Sequence, residues 1–460
     1  MSSGSIPRVD SSARTAASDA VPFSRIAWIA GALSSAVQPS RLWVGFLAAL
    51  LLWIPGLVWD RAVGPAIDPP GLLAEPWDDI ERDDSQRTLR RLAVIHVPEL
   101  TFEGAVLPAR ELAAALEARA DELGRDPQAD KVRAAARRAA SLVPLTSFQA
   151  LATAEADAAS AIVDGALALD VRPVAAGFRA AVIDIPVACF RRDTVFACTY
   201  GAWATLVLLV MCGALARMEV SQLSGRGVLS ARAGLTFATE RWNTLVLSWA
   251  APVGIAFILG LACWAWGFLF RAEFGGWVGA ALYVLPLAVG AVAGLSLLVA
   301  SLGAPFTPAA VACDGLDSLD ASQRGAIYFL ARPLLWVIVL LASLTVIAVG
   351  LVILRLFGWC LTAFPAAMVD LGAGGTAPVH SIPLSPTRWS VPLEPRSAIV
   401  WGWVLLAAFL VTGASVSLVA GVLTRAYLAL REACDGQPTD AAWPYEVPID
   451  VSDVPRTPAA

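Results

Sequence analysis

Charge is scarce in this sequence. Charged side chains make up 15% of its 460 residues, where a soluble domain carries about 25%. Lys131 is the only lysine, and the basic set is otherwise arginine, a bias that codon usage explains more cheaply than function does. The net charge of −5 excludes the counter-ion-releasing basic surface that nucleic-acid binding needs. Histidine is limited to His96 and His380, and neither has a second His or Cys nearby in sequence. The seven cysteines show no metal-ligand spacing and no disulfide framework. There is no G-x-S-x-G, no phosphate-binding glycine loop and no H-E-x-x-H. These absences leave no nucleophilic, metal-hydrolytic or nucleotide-binding constellation, and no cofactor is expected.

What the chain has is apolar length. Hydrophobic residues reach 57% and the mean hydropathy is +0.67. Six stretches are free of Asp, Glu, Lys, Arg and His: 42–59, 194–215, 244–270, 276–302, 334–354 and 399–423. A hydrocarbon core of about 30 Å takes about 20 helical residues to cross, and in lipid only helices or closed barrels satisfy the backbone. The expected fold is therefore all-α: an integral membrane protein with six transmembrane helices. Trp43, Trp59, Trp242, Trp277, Trp336, Trp359 and Trp401 stand at or near run ends, where indoles favour the headgroup zone.

Arginine density sets the expected orientation. Arg8, Arg14, Arg25 and Arg41 precede the first run. Arg217, Arg226, Arg232 and Arg241 follow the second, Arg324 and Arg332 the fourth, and Arg425 and Arg431 the sixth. By the positive-inside rule those segments and both termini are cytoplasmic. Residues 1–41 read as a disordered Ser/Ala-rich segment leading into an interfacial helix, with run 42–59 an uncleaved signal anchor. Residues 355–398 read as an extracytoplasmic loop, irregular where Gly and Pro gather at 371–397. Residues 424–460 read as a cytoplasmic acidic tail, without stable structure after Arg431.

Residues 60–193 read as an extracytoplasmic insert. Its start is acidic and read as irregular (Glu75, Asp78, Asp79, Glu81, Asp83, Asp84), and 92–97 reads as a short strand. Ala-rich helices are expected at 109–123, 131–142, 147–169 and 174–189, forming a small helical domain or arms lying on the membrane.

Two segments align without gaps: 230–242 (SARAGLTFATERW) and 321–333 (ASQRGAIYFLARP). Each matches a Gly (Gly234, Gly325), an aromatic (Phe237, Tyr328) and a terminal Arg (Arg241, Arg332) just before an apolar run. A third copy at 27–39 keeps Gly31 in register. A short amphipathic helix in the headgroup plane fits this pattern, either as an elbow that orients the next span or as a gate or lipid collar. Asp314, Asp317 and Asp320 recur every third position, as a cation site would use, but Asp317 or Asp320 also stands where a helix must begin and be capped. The candidate interaction residues are Arg217, Arg241, Asp317, Asp320, Arg324 and Arg332. Gly290 and Gly294 form a small-residue face. Pro252 and Pro286 are expected to kink two spans, and paired kinks can frame a cavity.

Four segments carry a resemblance: Gly213-Ala214-Leu215-Ala216-Arg217-Met218 with Gln222-Leu223, the expected helix Ala231–Trp242, Asp314-Gly315-Leu316-Asp317-Ser318-Leu319 leading to Ala331-Arg332-Pro333, and Tyr427-Leu428-Ala429-Leu430-Arg431 followed by Asp435-Gly436. With them the chain resembles a family of bacterial multi-span inner-membrane proteins of unestablished activity. The resemblance implies the topology and a bacterial inner-membrane location, and it assigns no catalytic residue. The expectation is a non-enzymatic membrane protein that scaffolds an assembly or organises lipid. The alternative is a permease-like component for a lipophilic or small substrate. The expected partners are the bilayer, other membrane proteins or further copies of the chain, and no nucleic acid.

Overall fold

Every apolar run becomes a helix in the computed structural model, which describes residues 23–98, 109–124, 126–271, 273–372 and 395–443. Among the described residues, seven helices are long and apolar enough to cross a membrane: Pro39–Val63, Val171–Arg192, Thr194–Leu223, Trp242–Arg271, Val284–Gly303, Pro333–Val369 and Ala398–Asp435. The count exceeds the expected six by one, and the addition is Val171–Arg192. Most helices also outrun their apolar windows. Thr194–Leu223 carries Arg217 and Glu219, and the Pro395–Asp435 helix carries Arg425 and Arg431. The helices themselves are thus not charge-free, because the charges at their ends find partners inside the protein. Between the third and fourth runs, a 3-10 turn at Gly267–Arg271 leads into a helix at Glu273–Ala281 before Val284–Gly303.

The chain divides into two compact units. One comprises Leu52–Trp203 with Met368–Val404. In it, Asp78 and Glu81 form a capping box: Glu81 N donates to the Asp78 carboxylate at 2.7 Å, and Asp78 N donates to Glu81 Oε2 at 3.1 Å. This starts a helix at Asp79–His96 with Val97 as its C-cap, so the acidic stretch is a helix start and the expected strand at 92–97 is the end of that helix. Leu89 and Ala93, four apart, face Leu112 and Leu116 of Ala109–Leu123 and Ala135 and Ala139 of Pro127–Ala140. Two short strands, Pro65–Ile67 and Leu145–Thr146, pair antiparallel. A helical hairpin follows, Ser147–Leu167 against Val171–Arg192. Its helices touch through glycine: a Cβ on Gly177 would lie 2.6 Å from Ile162 Cγ1 and 2.7 Å from Ala158 O.

The other unit comprises Met1–Leu51, Ala204–Ala367 and Leu405–Ala460. Here the repeat seen in the sequence is a repeat in space. The copies are short helices at Phe23–Ala30 with Ala32–Ala36, at Ala231–Glu240 and at Ser318–Ala331. Arg241 and Arg332 form one-residue corners before Trp242–Trp266 and Pro333–Leu361. Each matched glycine sits where the elbow meets the spanning helix before it. A Cβ on Gly234 would lie 2.9 Å from Met218 Cγ, and one on Gly325 would lie 2.5 Å from Leu302 O. A Cβ on Gly31 would strike the Arg425 guanidinium on the last spanning helix, so the first elbow packs on the end of the chain. Gly45 and Gly413 form another close crossing, where a Cβ on Gly413 would lie 2.5 Å from Phe46 N.

The hairpin of Trp242–Trp266 and Val284–Gly303 is stitched at its prolines. Ser296 Oγ donates to Pro252 O at 2.8 Å, and Cys263 Sγ contacts Pro286 O at 3.5 Å. Ser343, Thr345 and Ser415 instead bond carbonyls of their own helices. A Cβ on Gly290 or Gly294 would meet nothing within 4 Å among the described residues, so the small-residue face is not a helix contact there. Trp43, Trp242, Trp277 and Trp359 are exposed, whereas Trp336 is buried against Phe306 and Phe329.

Candidate functional site

The charges that end the apolar runs converge. Glu219, one turn past the second run, is fully buried. Its carboxylate accepts from Arg41 Nη1 at the start of Pro39–Val63, from Ser35 Oγ at 2.9 Å and from Arg425 Nε at 2.6 Å. Arg41 Nη2 also donates to Gln222 Oε1 at 2.8 Å, and Gln38 Nε2 reaches the same oxygen at 3.1 Å. Arg425 Nη1 donates to Trp28 O at 2.6 Å, and its guanidinium lies 5.4 Å from the Trp28 ring centre. Two guanidiniums thus share one carboxylate out of water. Such a group holds only while each charge keeps its partners.

A second set forms around Asp314, which ends the buried helix Thr307–Asp314. Its carboxylate accepts from Arg431 Nη1 and from Tyr427 OH. Tyr328 OH donates to Asp435 Oδ2 at 2.7 Å, and Arg324 lies 3.4 Å from the same oxygen. Burial, reinforced by Asp435, holds the Tyr328 phenol well above its ordinary pKa.

Residues 436–443 then fold back as a strap. Arg431 Nη2 donates to Pro438 O at 3.0 Å and also to Ala441 O. Trp443 N donates to Cys313 O at 2.7 Å. Arg217 Nη1 and Arg226 Nη1 donate to Trp443 O at 3.2 and 3.3 Å, and Arg217 Nη1 also donates to Ala312 O at 2.9 Å. The Arg241 guanidinium lies 4.8 Å from the Trp443 ring centre. Gly315, at φ +65°, fits beneath that ring, where a Cβ would collide. The expectation of an unstructured tail after Arg431 is thus corrected for 432–443. Residues 444–460 lie outside the described residues, as do 1–22, His380 and the Gly/Pro-rich stretch 373–394.

Of the candidate residues, Arg217, Arg241 and Arg324 come together on the strap and on Asp435. Asp317 is the N-cap of Ser318–Ala331 and accepts from Asp320 N at 3.0 Å, with Asp320 in the first turn. Arg332 is the corner residue after that helix. The aspartate series therefore splits into an ion-pair partner, a cap and a first-turn acid, and does not converge as a cation site would require. Sequence reasoning missed Arg41, Glu219, Arg425, Arg431 and Trp443. One signal was present: Gly213-Ala-Leu-Ala-Arg217 and Gly421-Val-Leu-Thr-Arg425 share a G-x-L-x-R pattern at the ends of the second and sixth runs.

The fold and these buried charges define a class, an all-α protein with several helices of membrane-spanning length and composition. No family model, curated protein or solved structure matches the chain.

Proposed function

We propose that the chain is a six-span protein of the bacterial inner membrane that scaffolds a membrane assembly or organises lipid, without catalysing a reaction, with both termini in the cytoplasm. The observation that carries the six-span reading is the pairing of Arg41 and Arg425 with Glu219. Arg41 opens the first spanning helix and Glu219 closes Thr194–Leu223, so a direct ion pair needs both ends on one face. An even number of crossings must then separate them. Val171–Arg192 is the odd candidate in that interval, and its partner helix Ser147–Leu167 carries Glu155, Asp157 and Asp164, which are costly in lipid. From Glu219 to Arg425 the four remaining candidates give an even count. The short segments that carry Arg41, Arg217, Arg241, Arg324, Arg332, Arg425 and Arg431 lie toward that face, which supports calling it cytoplasmic; the long, arginine-bearing insert 60–193 does not count against this, because long segments translocate largely regardless of charge. The resemblance to bacterial multi-span proteins supports the inner membrane.

The scaffold reading is supported by where polarity and apolar surface lie. The helix-end charges bond one another and the strap. The Trp242–Gly303 hairpin turns Phe257, Ile258, Leu287 and Leu295 outward, a broad apolar face for lipid or for another membrane helix. The permease alternative draws on Pro252 and Pro286, but Ser296 and Cys263 bond the carbonyls of those prolines across the hairpin. Purified protein in liposomes is expected to move neither solute nor lipid above the rate of empty vesicles. Flux abolished by separating the hairpin, as with Ser296→Leu, would replace the scaffold reading with the permease.

A further inference from the structure

The geometry points to a lipid-binding surface on Val171–Arg192: this helix lies flat in the outer leaflet at the extracytoplasmic face. Its inner side, Gly177, Ile185 and Cys189, is buried in its own unit. Its other side exposes Val182, Ile183, Val187 and Phe190, and Val195 continues the exposed stripe into the next helix. The stripe begins within a five-residue π-helical turn at Ala180–Asp184, and in the more polar half before it Arg172 and Ala176 are exposed.

The bilayer is the occupant because of where the hairpin is anchored. Asp193 alone separates Arg192 from the spanning helix Thr194–Leu223, and it caps that helix by accepting from Phe196 N at 3.0 Å. Ser147 Oγ, at the start of the partner helix, donates to Asp193 Oδ2 at 2.7 Å. Asp60, near the end of the first spanning helix, accepts from Phe148 N at 3.0 Å and from Thr146 Oγ1 at 2.5 Å. Both legs of the hairpin are thus pinned to residues where spans leave the hydrocarbon. The exposed stripe begins at that depth and is continuous with the lipid-facing side of a span. The tip is apolar too: Leu169, at φ +55°, is 91% exposed between exposed Leu167 and Val171. Standing in water, the hairpin would leave both stripe and tip unburied. Lying flat, it places them in acyl chains, with the exposed Arg191 within reach of phosphate.

This placement rests on the six-crossing reading, and one experiment separates the two. The full-length chain, in nanodiscs of phosphatidylethanolamine and phosphatidylglycerol, would carry a nitroxide coupled to p-azidophenylalanine at Ile183, Val187 or Phe190, with Ala176 as control. The expected result is relaxation by oxygen over an aqueous nickel chelate at the three stripe positions, at one shallow depth of about 5–10 Å, with chelate-dominated relaxation at Ala176. Chelate access at the stripe equal to that at Ala176 would overturn the lipid surface and leave six crossings standing. A depth that runs through the midplane between Phe190 and Ala176 would overturn both.

Discussion

Replacing Glu219 with alanine removes the one carboxylate that Arg41 and Arg425 share. Both guanidiniums stay buried, held by Gln222 and by Trp28 O respectively, and now repel one another. Breaking a buried pair by deleting one partner costs about 3–5 kcal/mol, because an uncompensated charge remains. At about 2–4 °C per kcal/mol for a domain of 150–250 residues, this lowers the midpoint of unfolding on the order of 10 °C. The assay is thermal unfolding in detergent, read by a thiol-reactive dye that reports release of the fully buried Cys313. Glu219→Gln keeps an acceptor without the charge and should fall between wild type and Glu219→Ala. Replacing Arg41, Glu219 and Arg425 together with methionine removes the charges with their partners and should recover most of the loss. If Glu219→Ala unfolds within about 1 °C of wild type, as an inert surface change would, or if the triple variant is no better than the single, the argument from charge pairing is wrong.

Three further outcomes follow from the same contacts. Trp443→Ala withdraws the ring that stacks on Arg241 and covers Gly315, a contact worth about 1–2 kcal/mol, so maleimide should modify Cys313 about tenfold faster by mass spectrometry; an unchanged rate would mean the strap does not cover this end. Gly413→Val inserts side-chain atoms where a Cβ alone would sit 2.5 Å from Phe46 N, and should cost about 1–3 kcal/mol in the same melt; full tolerance would rule out the close crossing. Glu155 has its pKa raised to about 7 by burial, so the folded state holds this proton more tightly than the unfolded chain. Stability should therefore fall as pH rises from the ordinary glutamate range to about 7, by at most about 3 kcal/mol. Glu155→Gln should remove that slope in pH-dependent melts and leave stability at low pH unchanged; a slope that persists would place its origin elsewhere.

The spanning helices were legible because apolar length is a local signal, and the elbows because their glycines and corner arginines recur in register. The cap at Asp317 was legible for the same local reason. Helix ends were harder. A charged residue after an apolar run reads as a loop, yet Glu219, Arg425 and Arg431 remain helical because their charges are met by one another and by Arg41 and Asp314, and Arg217 because the carbonyls of Ala312 and Trp443 accept from it. Those partners stand far apart in sequence, 178 positions for Arg41 and Glu219 and 206 for Glu219 and Arg425, so no window contains them. The stretch 92–97 was misread as a strand because Val94, Ile95 and Val97 are β-branched. The capping box at Asp78 and the burial of Leu89 and Ala93 one turn apart outweigh that preference. Val171–Arg192 shows the opposite limit: its length and composition suit a span, and what argues against one is a distant ion pair and the acids of its partner helix.

The most direct measurement places the two termini. Epitope tags fused before Met1 and after Ala460 should both be digested, or both protected, when protease is added to sealed vesicles of one orientation, because Arg41, Glu219 and Arg425 can meet only if the ends they mark share a face. Digestion of one tag with protection of the other would contradict that shared face and, with it, the six-span account.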